Sequence, residues 1–257
     1  MKKRHVFETI FALLVVFLSL APFCYVLLCS FGTMQGTVSV QPYYDVFLGS
    51  HRYLQTFWRS LAIGIAIVVG QVFISILAGF GFAKCKFKER DILFFFLLIL
   101  MVMPLQVTLV PNYIVLNQLG LLDTYAALIL PAIFAPLGTF ILRQSFRSIP
   151  DAILEAARLD GCGLPRLLSR IAVPMNKSGI VCVTLLAFLD AWNMVEQPIA
   201  YLKDMESYPL SVALAYAPPA NSLVQFVCCL LVALPPLFLF TVFNKDLVEG
   251  ITLAEVK

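Results

Sequence analysis

Long apolar stretches separated by short polar ones set the pattern of this chain: continuous hydrophobic runs lie near residues 10 to 30, 61 to 83, 92 to 111, 126 to 146, 179 to 199 and 223 to 243. Each is close to the roughly 20 residues that a helix needs to cross about 30 Å of hydrocarbon. The runs lack the period-two alternation of a transmembrane barrel. Helices, which satisfy their own backbone groups, are the remaining way to place them in lipid. The pattern predicts an all-α, polytopic membrane protein with six transmembrane helices. Prolines fall inside several runs: Pro104 and Pro111 in the third, Pro131 and Pro136 in the fourth, Pro235 and Pro236 in the sixth. Each removes a helical hydrogen bond and crowds the preceding turn, which predicts kinks or local breaks. No repeat of 20 to 50 residues is visible, so residues 1–257 read as a single domain.

Charge supplies the orientation. Lys and Arg in short loops stay on the cytoplasmic side, and with the N-terminus inside, fifteen of the eighteen cations fall in cytoplasmic segments. Only Arg52, Arg59 and Lys203 fall outside. This asymmetry predicts both termini in the cytoplasm and agrees with an even number of spans. The net charge of +3 is thus a topology signal and gives no reason to invoke nucleic acid. With 61% apolar and 13% charged residues and a mean hydropathy of +0.92, the composition excludes an ordinary soluble domain. The apolar run after Lys2, Lys3 and Arg4 exceeds the usual core of a signal peptide, so it reads as a retained first span. The seven cysteines show neither zinc spacing nor a disulfide framework and read as small packing residues. The segment from Gly32 to Arg59, with Gly36, Pro42, Gly49 and several Tyr, Phe and Trp residues, predicts an interfacial loop carrying a short surface helix.

The longest cytoplasmic insert, residues 147–178, lies between the fourth and fifth runs. Ser148-Ile149-Pro150-Asp151 reads as a helix start, with Ser148 as cap and Asp151 completing a capping-box-like pattern. Helix formers follow to Leu159, placing Ile149, Ala152, Ile153 and Ala156 on one face and Asp151, Glu155 and Arg158 on another. Gly161 predicts a left-handed stop, and Gly163-Leu164-Pro165 opens a second helix through Leu167, Leu168 and Ile171 towards Pro174. An amphipathic helix rich in small residues suits a groove on another protein. The alternative is a helix lying passively on the membrane surface. In the fifth run, Asp190, Trp192, Asn193, Glu196 and Gln197 are costly in lipid. Asp190, Asn193 and Gln197 would form one helical stripe facing either a water-filled cavity or a polar partner helix, and Trp192 suits a sugar ring or an interfacial anchor.

Several motifs resemble a known family. Glu155-Ala156-Ala157, Gly161 and Ile171-Ala172-Val173-Pro174 are similar to the cytoplasmic coupling loop of ATP-binding cassette importer permeases. Val110-Pro111-Asn112-Tyr113, Leu119-Gly120-Leu121-Leu122-Asp123-Thr124-Tyr125, Phe140-Ile141-Leu142-Arg143-Gln144 and Ala191-Trp192-Asn193 follow the order of the carbohydrate-type, binding-protein-dependent permeases. They come close to the smaller permease of the maltose system. Two departures stand out: Val173 where Leu usually precedes the proline, and Arg59-Ser60 where an Asn-Ser pair often opens the second span.

The resemblance implies a MetI-like importer-permease fold with a cytoplasmic coupling helix, in a bacterial inner (plasma) membrane. It implies a second permease subunit as heterodimer partner, two ATPase subunits and an extracytoplasmic solute-binding protein. Glu155, Ala156, Ala157, Asp160, Gly161, Ile171 and Pro174 would form the ATPase-coupling element, and Asp190, Trp192, Asn193, Glu196 and Gln197 would belong to the translocation pathway. The implied solute is a sugar or oligosaccharide; a non-sugar solute is the alternative, and an ion-coupled secondary transporter a remoter one, since no related half is visible. No lysine follows a glycine anywhere in the chain, so a phosphate-cradling loop is absent and ATP and Mg would be bound by partner subunits. Neither His-Glu-x-x-His nor Gly-x-Ser-x-Gly occurs, which argues against an intramembrane enzyme.

Overall fold

The computed structural model describes residues 2–32, 38–49, 51–214 and 222–255, with side chains described between residues 9 and 244 apart from Ser222. Gly36 and Lys257, and the side chains of Lys2, Lys3, Arg4 and Lys245, lie outside that description. The described residues form helices in the order α1 (Lys2–Ser30), α2 (Gln41–Tyr44), α3 (His51–Lys84), α4 (Arg90–Val102), α5 (Leu105–Gln118), α6 (Ala126–Ile133), α7 (Pro136–Arg147), α8 (Asp151–Leu159), α9 (Leu164–Met175), α10 (Lys177–Trp192), α11 (Glu196–Tyr201), α12 (Leu210–Ala213) and α13 (Ser222–Glu255).

Among the described residues, four helical stretches are long and apolar enough to cross a membrane: Thr9–Ser30, His51–Lys84, Ala126–Arg147 and Leu223–Asn244. Two bent pairs bring the total to six if each is one span, α4 with α5 at 107° and α9 with α10 at 83°. The third predicted run is therefore not one rod. It breaks at Met103 and Pro104, where Pro104 adopts an extended ψ of 144° as the cap of α5. The prolines do not act alike. Pro136 occupies the first turn of α7 and marks a break from α6, whereas Pro111, Pro235 and Pro236 lie inside continuous helices.

The second span starts ten residues earlier than the hydropathy suggests, and Thr56, Arg59 and Ser60 in its first turns find partners within the fold. The Thr56 hydroxyl donates to the Arg52 carbonyl, and Ser60 Oγ donates to the Thr56 carbonyl while accepting the Leu210 N–H at 2.7 Å. Arg59 reaches Tyr125 Oη at 3.2 Å and Thr56 Oγ1 at 3.0 Å. The preceding segment carries α2 and a wide turn from Asp45 to Gly49, with Tyr43 Oη hydrogen-bonded to Ser30 Oγ.

Packing centres on α3, which lies against α7 and α10, while α13 packs on α10 and α1. The α3–α7 approach is close enough that a Cβ on Gly79 would sit 2.9 Å from Leu142 Cβ. Lipid offers apolar side chains no preference for one another, so small residues that let backbones approach are what hold such helices together. One core cluster, around Ile67, Leu128, Tyr201 and Val212, joins α3, α6, α11 and α12. A second, around Phe80, Leu142, Phe146, Leu154, Leu167 and Ala172, fills the opposite end of α3 and extends into the insert. Cys182 and Cys228 are buried, Cys228 in an apolar cluster with Val46, Val224, Val227 and Leu231.

Candidate functional site

The insert is anchored at three points. Its entry and exit are joined where Ser145 Oγ on α7 donates to Asn176 Oδ1 at 2.5 Å, at the bend between α9 and α10. The end of α3 clamps the start of α8: Lys84 Nζ donates to the Ile149 carbonyl at 2.6 Å and to Asp151 Oδ1 at 2.7 Å. Lys84 is 8% exposed at its side chain and Asp151 76%, so the ammonium is held by the fold and the carboxylate comes to it. The Lys84 ammonium holds the Asp151 carboxyl below the ordinary aspartate range, first through the hydrogen bond and then through charge. The third anchor is apolar, with Leu154 of α8 and Leu167 and Ala172 of α9 buried against Phe80 and Phe146. The insert is thus packed on the ends of α3 and α7 and hydrogen-bonded at the bend that opens α10.

Two expectations about α8 change. Ser148 does not cap it, since its hydroxyl turns back to the Ser145 carbonyl at 2.7 Å and Pro150 takes the cap position. Asp151 is taken by Lys84, so no capping box forms. The face that meets the rest of the chain carries Leu154 and, half-buried, Ala157; Ala152, Ile153 and Ala156 are exposed instead. Leu154 is 3% exposed and Leu159, on the other side of the helix, 89%. The outward surface is thus Ala152, Ala156 and Leu159 at helical spacing, with Glu155 beside them.

The turn after α8 behaves as its sequence predicts. Gly161 adopts a φ of +77°. Cys162 N–H donates to the Ala157 carbonyl and Gly161 N–H to the Arg158 carbonyl, both at 3.0 Å, which closes a Schellman motif over the helix end. Asp160 is the exposed cap residue. In α9, Ile171 is half-buried and Pro174 exposed. Pro174 has no N–H for the Arg170 carbonyl, and the helix widens to a π-turn over Leu168–Ala172 just before it.

The polar residues of the fifth run are arranged differently from a single stripe. Helix α10 ends at Trp192, and Asn193 caps it, its Nδ2 donating to the Leu189 carbonyl at 2.9 Å. Gln197 lies beyond the break, on α11, so the helical spacing that would align it with Asp190 does not apply. Asp190 and Asn193 are exposed on this chain, and Glu196 accepts from Gln106 Nε2 of α5 at 2.9 Å. Trp192 is 4% exposed, with Nε1 donating to the Val232 carbonyl at 2.9 Å and its ring packed on Phe188 and Phe57. Both polar and apolar parts of that indole are spoken for, as in a packing residue.

Residues 71–252 match the family described as the inner membrane component of binding-protein-dependent transport systems. The chain belongs to this family. The transport component is 32% identical over 223 residues to the arabinooligosaccharides transport system permease protein AraQ of Bacillus subtilis, covering 86% of this chain and 79% of that one. It is 29% identical over 205 residues to the sn-glycerol-3-phosphate transport system permease protein UgpE of Brucella melitensis, covering 77% and 72%. Its fold matches a chain of a bacterial ABC transporter involved in the import of the acidic polysaccharide alginate, with a TM-score of 0.84 over 95% of this chain and 98% of the other at 19% identity. The all-helical, MetI-like architecture of the permease stands on that agreement, with four spans, or six where each bent pair is one. Lys84, Ser145 and Asn176, which hold the insert, had no signal in the sequence beyond being polar residues at span ends.

Proposed function

We propose that this chain is one of two permease subunits of an ATP-driven importer for a sugar or oligosaccharide, and that α8 receives the movement of an ATPase subunit. The reading is carried by one observation: α8 is locked into the bundle through Leu154 and Lys84 while presenting Ala152, Ala156, Leu159 and Glu155 outward. In this reading the end of the bundle carrying α8 faces the cytoplasm, both termini lie there too, and a solute-binding protein docks on the opposite side. Two ATPase subunits bind ATP and Mg, and each seats one coupling helix. Glu155, Ala156, Ala157, Asp160 and Gly161 form the seated segment, with Ile171 and Pro174 shaping the return helix. Closure of the ATPases on ATP pushes α8, and its anchors on α3, α7 and α10 turn the push into a change of cavity access.

Asp190, Asn193, Glu196 and Gln197 line the pathway between this subunit and its partner, and Trp192 braces them from behind. The sugar assignment draws on the arabinooligosaccharide relative; the glycerol-3-phosphate relative favours a phosphorylated polyol as the second choice. The test is Glu155→Lys in the assembled transporter. ATP hydrolysis is expected to continue while uptake falls to background, and normal uptake would remove the docking role. Identifying the solute carried by the co-purified binding protein decides the substrate class.

A further inference from the structure

The end of the bundle that carries α8 holds a second polar feature, separate from the coupling element. A cavity of about 350 Å³ is lined by Phe82, Ala83, Arg90, Asp91, Arg143 and Arg147, where the ends of α3, α4 and α7 meet. It brings three guanidinium groups together with one carboxylate. Arg143 and Arg147 lie four residues apart on α7, a spacing at which like charges repel.

Arg143 is the most enclosed of the three, with a side chain 11% exposed. Its guanidinium carbon lies 3.6 Å from the centroid of the Phe94 ring, and Nε donates to the Phe82 carbonyl at 3.4 Å. The stacking fixes the guanidinium plane and leaves its remaining donors facing the cavity. Asp91, the one carboxylate among them, offsets only one of the three charges. Its carboxylate is occupied by Arg90, at 3.1 Å from Nε and 3.4 Å from Nη2, and stands 4.0 Å from Arg143 Nη2. Arg147 has no hydrogen-bond or ion-pair partner among the described residues. Two positive charges are left facing one cavity. Arginines that merely set topology have no need to converge, nor to be stacked and buried.

A neighbouring cavity of about 490 Å³ shares Arg90 and Asp91 and continues past Lys86 and the carboxylate of Glu89 to Phe87 and Ile92. Ile92, Leu93, Phe96 and Leu100 then expose an apolar surface along α4. The sequence from cationic cavity to apolar helix face has the shape of an amphiphile, with an anionic head and hydrocarbon chains. Arginine suits phosphate because its donors match two oxygens at once.

We propose that Arg90, Arg143 and Arg147 bind the phosphate of an anionic phospholipid of the cytoplasmic leaflet, its acyl chains lying along α4. The leaflet assignment rests on the orientation proposed above; the site itself does not. Because Arg147 leads directly into residues 148–150 and α8, an occupied site steadies the root of the coupling element.

The test uses the complete purified transporter in detergent, titrated with phosphatidylglycerol, phosphatidylcholine or inorganic phosphate, with bound lipid counted by native mass spectrometry. The expected result is preferential retention of phosphatidylglycerol, weakened about fivefold for each guanidinium removed, in Arg147→Gln and in Arg143→Gln. Arg147→Gln keeps the test decisive if loss of the stacked Arg143 disturbs folding, since Arg147 is exposed. Equal retention of the two lipids, or a preference unchanged in Arg147→Gln, overturns the site. Displacement of phosphatidylglycerol by millimolar inorganic phosphate overturns the lipid source and leaves a free-phosphate site instead. Labelling of a cysteine placed at Arg158 from outside the cell would overturn the orientation and the leaflet while leaving the detergent result standing.

Discussion

Leu154 and Leu159 sit five residues apart on one helix and face opposite ways, which makes them a matched pair for testing what α8 is for. Leu154 is 3% exposed and packs in the cluster with Phe80, Phe146 and Leu167. Leu154→Ala removes a core side chain, and such truncations cost about 2–5 kcal/mol of stability. Leu159 is 89% exposed, so Leu159→Ala changes the stability of this chain by less than about 0.5 kcal/mol. If α8 seats in an ATPase cleft, however, the Leu159 side chain is buried there, and burying a leucine contributes about 1.5–3 kcal/mol. Its loss then weakens ATPase binding about 10- to 150-fold. Two measurements separate the effects: the apparent melting temperature of the purified permease, and titration of purified ATPase subunits against it. Leu154→Ala should lower the first, and Leu159→Ala should change only the second. Wild-type ATPase affinity in Leu159→Ala would refute the assignment of that face, and a melting temperature lowered as far as in Leu154→Ala would refute the packing described here.

Three further predictions follow from the local geometry. At φ +77° Gly161 meets nothing within 4 Å of a built Cβ, so only the backbone conformation demands glycine there; an L-residue in that region costs about 1–2 kcal/mol. Gly161→Val should abolish uptake with insertion intact while Gly161→Asn retains part of it, and equal uptake by the two would show that the left-handed turn is not required. Gly79→Val places a side chain against Leu142 Cβ at 2.9 Å and Arg143 N at 3.0 Å, an overpacking of about 1–3 kcal/mol that should lower the apparent melting temperature; no change would argue against so close an α3–α7 approach. The Asp151 carboxyl is depressed by Lys84, so its contribution is present in full above the ordinary aspartate value of about 3.9 and is lost only as pH falls through the lower folded value. Hydrogen-exchange protection of Ile153 and Leu154, corrected for intrinsic rate, should therefore be the same at pH 7 and pH 5 and fall in Asp151→Asn; protection already lost at pH 5 would contradict the pairing.

Much of this protein is legible along the chain because lipid is an exacting solvent. Runs of about 20 apolar residues have few alternatives to helices there, and a glycine after a polar helix has few alternatives to a left-handed stop. The existence and order of the apolar spans, the insert at 147–178 and the turn at Gly161 are local consequences of composition and spacing, and the family motifs lie in those same segments.

What hydropathy could not supply is which of several permitted partners a side chain meets. Pro104 breaks its span while Pro111 and Pro235 lie inside continuous helices, a difference that hydropathy does not carry. Asp151 reads as a capping residue until α3 brings Lys84 beside it from 67 positions away. Ala152 and Ala156 share a periodic face whose partner the spacing leaves open until Leu154 takes the core and they turn outward, and Trp192 suits a sugar ring or an interfacial anchor until Phe57, Phe188 and Val232 close around it. The convergence of Arg90, Arg143 and Arg147 likewise exists only once three helix ends meet. Periodicity assigns residues to faces, but the burial of one face against another is a property of the assembled bundle.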